Sequence, residues 1–172
     1  KKTVMAELSA DTRPFIIGHP DFQWTQIPAR DATAHGGLKR SNRFPNCSYF
    51  TNWTKLDDKL TWQVEVGAAG RYAVELHYAV RKGSEGAVLE LSFNGKRLRH
   101  TITQPHEVPT RGQENDRVPR AESFVKDFKA VDIGVIMLSK GKGELILRAL
   151  KIPGQEALEF RQLMLRRVRA SR

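Results

Sequence analysis

The sequence is poor in cysteine and in long apolar runs. Cys47 is the only cysteine among 172 residues, which excludes an internal disulfide framework and any zinc site built on several cysteines. No apolar run approaches the ~20 residues that a membrane-spanning helix needs. Residues 1–14, KKTVMAELSADTRP, lack the continuous apolar stretch and cleavage site of a signal peptide. We therefore expect no membrane segment, and the cysteine count leaves the compartment open.

Catalytic motifs are missing as well. The sequence contains no G-x-S-x-G, no Walker-type G-x-x-x-x-G-K and no H-E-x-x-H. Among the histidines, only His35 and His106 fall in predicted loops, where a site histidine is plausible. Asp57 and Asp58 are best explained as a turn that enters the next strand, and Cys47 as a small buried thiol. We predict that this chain is not an enzyme.

The charge balance is strongly positive. Lys and Arg total 29 against 19 Asp and Glu, a formal net charge of +10. Such a surface attracts polyanions such as nucleic acid, anionic lipid or acidic and sulfated polysaccharide, although a merely soluble basic surface has the same composition. Charge alone therefore suggests a class of partner and leaves the fold open.

A two-residue hydrophobic period dominates from position 60 onwards. Apolar residues alternate in KLTWQVEV (59–66) and RYAVELHYAV (71–80), and Asn94-Gly95 joins two further alternating stretches as a hairpin turn. Residues 103–123 hold three prolines and form a long loop. Residues 157–168 fit either a helix or a strand whose phase slips at Gln162, as at a bulge. With seven or eight short strands, the chain is predicted to be all-β, a sandwich or jelly roll.

Aromatic and amide side chains cluster in PNCSYFTNWT (45–54) without alternation or helical spacing. Sugars present apolar faces ringed by hydroxyls, so exposed rings and amides together suit a carbohydrate site. The candidate ligand-binding residues are the platforms Tyr49 and Trp53, the edge partners Asn46 and Asn52, and the loop arginines Arg111 and Arg117 for carboxylate or sulfate. The alternative is that the rings fill the open end of a sandwich beneath a loop.

The order of these segments carries a family resemblance. TWQVEV, AGRYAVELHYA and GKGELILRA resemble the galactose-binding-like jelly-roll carbohydrate-binding modules of families six and thirty-five, over residues 26–168. We accordingly divide the chain into an N-terminal extension, 1–25, that packs on the sandwich, and a module, 26–172. The resemblance also favours a strand over a helix for residues 157–168.

The same resemblance raises the question of a structural calcium ion. Such modules often hold calcium through a glutamate of an A-E pair in the first strand, where this chain has Ala29 and Arg30. A guanidinium cannot ligate a cation, although Asp31 or Glu159 could substitute with backbone carbonyls. We predict no other cofactor and no metal-binding residues.

Two segments resemble a narrower group. PNCSYFTNWTKLDDKLTWQVEV and DRVPRAESFVKDFK are similar to the region after the catalytic domain in secreted bacterial sulfatases of the arylsulfatase or N-acetylgalactosamine-6-sulfatase kind. This resemblance implies a C-terminal accessory domain, a catalytic domain of the parent chain as partner, and a secreted or periplasmic location. The sulfatase nucleophile motif C-x-P-x-R is absent, because SYFT follows Cys47.

Together these observations predict a non-catalytic domain that binds a glycan, with an anionic or sulfated one favoured. A purely structural domain that packs on the catalytic domain is the first alternative, and a large apolar patch around Trp24 or Tyr49 would favour it. Nucleic-acid binding driven by charge is the second, and no standard binding motif supports it.

Overall fold

The computed structural model describes residues 12–41, 49–111, 116–118 and 126–168. Within them the chain forms twelve strands and one short 3₁₀ turn, Ala29–Asp31. The strands are β1 (Phe15–Ile17), β2 (Trp24–Pro28), β3 (Thr33–His35), β4 (Lys39–Arg40), β5 (Phe50–Thr51), β6 (Lys59–Val66), β7 (Gly70–Ala79), β8 (Val88–Phe93), β9 (Lys96–Thr101), β10 (Lys129–Leu138), β11 (Gly141–Lys151) and β12 (Glu159–Val168).

The strands form two six-stranded sheets that face each other. Sheet A has the order β1-β6-β11-β8-β9, and β3 also pairs with β6. Sheet B has the order β10-β7-β12-β5-β4, and β2 also pairs with β12. The predicted all-β sandwich is confirmed. No helix long and apolar enough to cross a membrane occurs in the part of the chain that the structure describes.

The hydrophobic period explains the core between the sheets. Leu60, Trp62 and Val64 of β6 are at most 2% exposed, because alternate side chains of a strand point to one face. The ring of Trp62 meets Phe160 of β12 edge-on, with centroids 5.8 Å apart. The core therefore lies where the alternation predicts it.

Two local predictions on strand geometry are also confirmed. Asn94 and Gly95 turn β8 into β9 with positive φ values of 44° and 82°, as a two-residue type I′ loop requires, and the twist of such a loop matches the right-handed twist of the flanking strands. Residues 159–168 form a strand, β12, whose register with β7 shifts between Phe160 and Gln162. The phase slip in the sequence is thus a bulge rather than a helical period.

The short strands near the N-terminus were harder to predict. The seven strands of six or more residues, β6 to β12, follow the periodic segments, whereas β1 to β5 have two to five residues. β1 pairs in parallel with β6, and β2 pairs with β12. Residues 15–25 thus contribute to both sheets, and the boundary at residue 25 stays a prediction.

Candidate ligand site

A cleft opens at one end of the sandwich, where the end of β7, the loop after β9 and the start of β12 meet. We call this region the loop end. The cleft has a volume of 220 Å³ and is lined by residues 79–81, residues 106–110, Lys126 and Glu159. Main-chain hydrogen bonds in both directions between Val80 and His106, of 3.0 and 2.9 Å, hold the long loop after β9 against the end of β7. The loop predicted to be functional therefore forms one wall of the cleft.

A nearly buried ion pair forms part of the cleft. Nζ of Lys126 donates a hydrogen bond of 2.6 Å to Oε2 of Glu159, and the two side chains are only 12% and 9% exposed. The same ammonium lies 5.0 Å from the ring centroid of Tyr49. Lys126 thus connects Tyr49 to the cleft.

Tyr49, the first predicted platform, is half-buried. Its ring packs edge-on against Phe128, with centroids 5.3 Å apart. Its amide donates to Oγ of Ser41 at 3.2 Å. The residue is partly exposed and its ring lies near Lys126, a lining residue of the cleft, so Tyr49 stays a candidate.

Trp53, the second predicted platform, is fully buried, and the prediction of an exposed ring is wrong. Its side chain is 0% exposed, and Nε1 donates to the carbonyl of Asp58 at 3.2 Å. Its own carbonyl accepts a hydrogen bond of 2.8 Å from the amide of Ala157. The indole fills the end of the sandwich beneath the loop, as the alternative interpretation of the cluster holds.

The two amide candidates have different outcomes. Asn52 adopts a φ of 62°, a conformation that asparagine tolerates, and its Nδ2 donates to the carbonyl of Gly37 at 2.7 Å. This amide nitrogen therefore stabilises a turn at the loop end. Asn46 lies outside the described residues, as does Cys47.

The loop arginines lie on the surface. Nη1 of Arg111 forms an ion pair of 3.1 Å with Asp127, and the side chains are 65% and 57% exposed. Arg117 is exposed. Of the two, Arg111 lies near the cleft, because its partner Asp127 directly follows the lining residue Lys126.

The cleft also contains residues that the sequence did not reveal as candidates. Arg81 lies 3.1 Å from Oε1 of Glu156 in an ion pair, yet this oxygen, which is buried, accepts no hydrogen bond. The other oxygen of Glu156 accepts one of 3.2 Å from the amide of Asn52. Both cations that line the cleft, Arg81 and Lys126, are therefore paired with carboxylates.

The two candidate histidines also differ. His106 lies in the loop as predicted and its Nε2 donates to the carbonyl of Asp127 at 2.6 Å. His35 does not lie in a loop: it ends β3, with Nε2 2.8 Å from Oγ1 of Thr61. Its assignment as a loop residue was wrong because a three-residue strand is too short to show a period. Asp58 forms the predicted turn and caps the amides of Gly37 and Lys55 at 2.8 and 3.1 Å.

The residues at which the resemblance implies a calcium ion do not fit one. Arg40 reaches this turn, where its Nη2 donates to the carbonyls of Arg30 and Ala32 at 2.9 and 3.0 Å. Both possible substitute ligands are paired with cations, Asp31 with Arg30 and Glu159 with Lys126. Nowhere in the described ranges do three or more His, Cys, Asp or Glu side chains form a group that could hold a metal ion.

Solved structures share this fold. The chain superposes on a family 35 carbohydrate-binding module from Clostridium thermocellum with a TM-score of 0.52 and 15% identity, over 83% of this chain and 96% of that one. For the C-terminal family 6 module of LamC, a laminarinase from Zobellia galactanivorans, the TM-score is 0.54 at 9% identity, over 84% and 99%. For the Cry4Aa toxin from Bacillus thuringiensis it is 0.61 at 14% identity, over 86% and 24%.

The comparisons show the fold and no closer relationship. No protein-family model and no curated protein matches the sequence. The chain spans less than a third of the first longer proteins that it matches. The domain therefore has the jelly-roll sandwich of carbohydrate-binding modules, an architecture that also occurs within a toxin.

Proposed function

We propose that this chain is a non-catalytic carbohydrate-binding domain whose glycan lies in the cleft at the loop end. The observation that carries the proposal is the junction of the 220 Å³ cleft with the half-buried ring of Tyr49, which Lys126 connects to it. The shared fold with family 35 and family 6 modules supports it.

The groups around the cleft suit the two surfaces of a sugar. The ring of the half-buried Tyr49 would offer an apolar face for C–H groups. Lys126 and Glu159 place a donor and an acceptor side by side, and Thr110 adds a hydroxyl to the wall. A hydroxyl-rich ligand needs this mixture of donors and acceptors at its edge.

Binding of a panel of neutral and anionic oligosaccharides to the isolated domain tests the proposal. We expect Tyr49→Ala to weaken binding by about tenfold, the loss of one well-placed ring contact. Phe22→Ala is the matched control, because Phe22 is 66% exposed and lies between β1 and β2, away from the cleft. Equal weakening by both variants, or no binding of any oligosaccharide, would overturn the proposal.

A finer proposal concerns the setting of the domain. The resemblance of PNCSYFTNWTKLDDKLTWQVEV and DRVPRAESFVKDFK to the region after sulfatase catalytic domains supports an accessory role in a secreted or periplasmic enzyme that acts on sulfated glycans. A weak module tethered to an enzyme raises the effective concentration of a polymeric substrate. Deleting the domain from such an enzyme should then lower sulfate release from a polymer and leave hydrolysis of a small sulfate ester unchanged. Equal loss on both substrates would contradict this role.

A structural role is the second candidate, and the outer face of sheet B favours it. Val135 and Trp24 are 41% and 48% exposed and lie in one row across the sheet, through Ala73 and Arg166. Met137, 48% exposed, lies two residues beyond Val135 on the same face. Apolar side chains on one sheet face suit packing against another domain. Trp24→Ser should then weaken association with a catalytic domain and leave oligosaccharide binding unchanged.

A further inference from the structure

The outer face of sheet A carries a strong local excess of positive charge. Alternate residues of β6, β8, β9 and β11 point outward, and a register shift between Ala149 and Lys151 brings Lys151 to the same face, beside Val88. In the half nearer the loop end the charged outward residues are Lys59, Arg97, Arg99, Arg148, Lys151 and Glu90. These are five cations and one carboxylate. We call this set the basic face. The other half of the sheet offsets Lys142 with Glu65 and Glu144.

The single carboxylate of the basic face holds two of its guanidinium groups. Glu90 is 1% exposed and lies between Arg99 and Arg148 on the neighbouring strands. Nε of Arg99 donates to Oε2 at 2.8 Å, and Nε and Nη2 of Arg148 donate to Oε1 at 3.0 and 2.6 Å. One buried anion therefore fixes two cations in place.

The two guanidinium groups still face solvent. The side chains of Arg99 and Arg148 are 61% and 43% exposed. A guanidinium has five N–H donors, and Glu90 takes one from Arg99 and two from Arg148. Because their positions are already fixed, little side-chain entropy is lost when they bind an external anion.

We propose that the basic face is a second binding surface, separate from the cleft, that docks an extended anionic polysaccharide through its sulfate or carboxylate groups. Charge complementarity identifies the occupant, because five cations face one carboxylate over four adjacent strands. The cleft is different, since Arg81 and Lys126 are each paired with a glutamate there.

The composition of this face disfavours nucleic acid. The outward residues of β6, β8, β9 and β11 include no Phe, Tyr or Trp, so single-stranded bases would find no stacking platform. The face is part of a sheet and offers no helix or two-stranded ribbon to insert into a major groove. The face is therefore suited to recognise the charged groups along a flexible polysaccharide chain.

The test uses two pairs of variants with the same net charge. Arg97→Gln with Arg99→Gln removes two cations from the basic face, and Arg71→Gln with Lys140→Gln removes two exposed cations elsewhere. Binding of chondroitin sulfate, desulfated chondroitin and alginate is measured at two salt concentrations. We expect the first pair to lower affinity about tenfold and the salt slope by about 2, and the control pair to change affinity by less than about twofold.

Further variants separate this proposal from folding defects and from the cleft. Arg97→Gln with Lys151→Gln leaves both arginines on Glu90 and should weaken binding to a similar extent. Tyr49→Ala removes no charge and should leave the salt slope of binding to the charged polymers unchanged, whatever it does to affinity through the cleft, so failure of the cleft proposal would not affect this one. Equal weakening by the test and control pairs, no binding of any charged polysaccharide, or tighter binding of nucleic acid would overturn the proposal. The sulfated and carboxylated polymers decide which anionic group is preferred.

Discussion

The loop end and the basic face both contain buried glutamates beside cations, but the balance differs. At the loop end Lys126 pairs with Glu159 and Arg81 with Glu156, so charge is matched one to one. On the basic face, Glu90 alone holds Arg99 and Arg148 among further cations. Because the charges of the cleft are matched, a ligand there would be selected by shape and hydrogen bonding. The excess charge of the basic face instead gives sheet A a long-range attraction for polyanions.

The largest expected effect concerns the ring beneath the loop end. Trp53→Ala removes a fully buried indole and should lower the free energy of unfolding by about 3–5 kcal/mol. Tyr49→Ala, which removes a half-buried ring, should cost about 1 kcal/mol or less. Chemical denaturation of the two variants measures both values. Similar losses of unfolding free energy in the two variants would mean that Trp53 does not stabilise the loop end more than Tyr49 does.

The second prediction compares a nearly buried cation of the loop end, Lys126, with an exposed cation of the basic face, Arg99. Lys126→Ala leaves Glu159 without its partner in a site where both side chains are about nine-tenths buried, and should cost about 3 kcal/mol. Arg99→Gln removes a cation that is 61% exposed and should cost less than about 1 kcal/mol. Thermal unfolding of both variants at one pH compares them, and a larger loss for Arg99→Gln would reverse the contrast.

The pH dependence of stability tests Glu90 directly. Burial raises its pKa, but the hydrogen bonds and charges of Arg99 and Arg148 outweigh this effect, so the pKa lies below the ordinary 4.5. A carboxyl whose pKa is lowered by folding contributes stability above its unfolded pKa and loses it as the pH falls through the folded one.

Glu90→Gln should therefore cost about 1–2 kcal/mol at neutral pH. The difference from the wild type should shrink as the pH falls below about 4.5. Denaturation curves at several pH values between neutral and acid measure this. A constant difference across that range would show that Glu90 acts through packing rather than charge.

The smallest expected effect concerns the exposed pair of the loop end. Arg111 and Asp127 are 65% and 57% exposed, so Arg111→Gln should change the free energy of unfolding by less than about 0.5 kcal/mol. Oligosaccharide binding is measured on the same variant. If Arg111 contacts an anionic sugar, affinity falls while stability does not; a larger loss of stability would show that the pair holds the loop.

The sequence predicts features that depend on neighbouring residues. Alternation in residues 59–66 and the Asn94-Gly95 turn are local, and both are found in the structure. The phase slip at Gln162 likewise predicts the bulge in β12, although the residues alone also allowed a helix.

The site depends on contacts between residues distant in sequence. Glu159 pairs with Lys126 over 33 positions, and Glu156 meets Asn52 over 104; neither separation has a period that a sequence reveals. Trp53 was misassigned for the same reason, since the Ala157 amide that anchors its carbonyl follows it by about a hundred residues. The basic face was missed because its cations lie on separate strands and converge only in register.

The position of β12 has a consequence for how the protein is made. This strand pairs with β7 along one edge and with β2 and β5 along the other, so it is the common neighbour that unites sheet B. It is also the last described strand to leave the ribosome. Until residues 159–168 emerge, the β7–β10 pair cannot be joined to β2 or to the β4–β5 pair, and part of the apolar face of sheet B that packs on sheet A stays uncovered. The domain therefore completes its fold only after residues 159–168 have been synthesised, and until then its uncovered apolar surface favours aggregation.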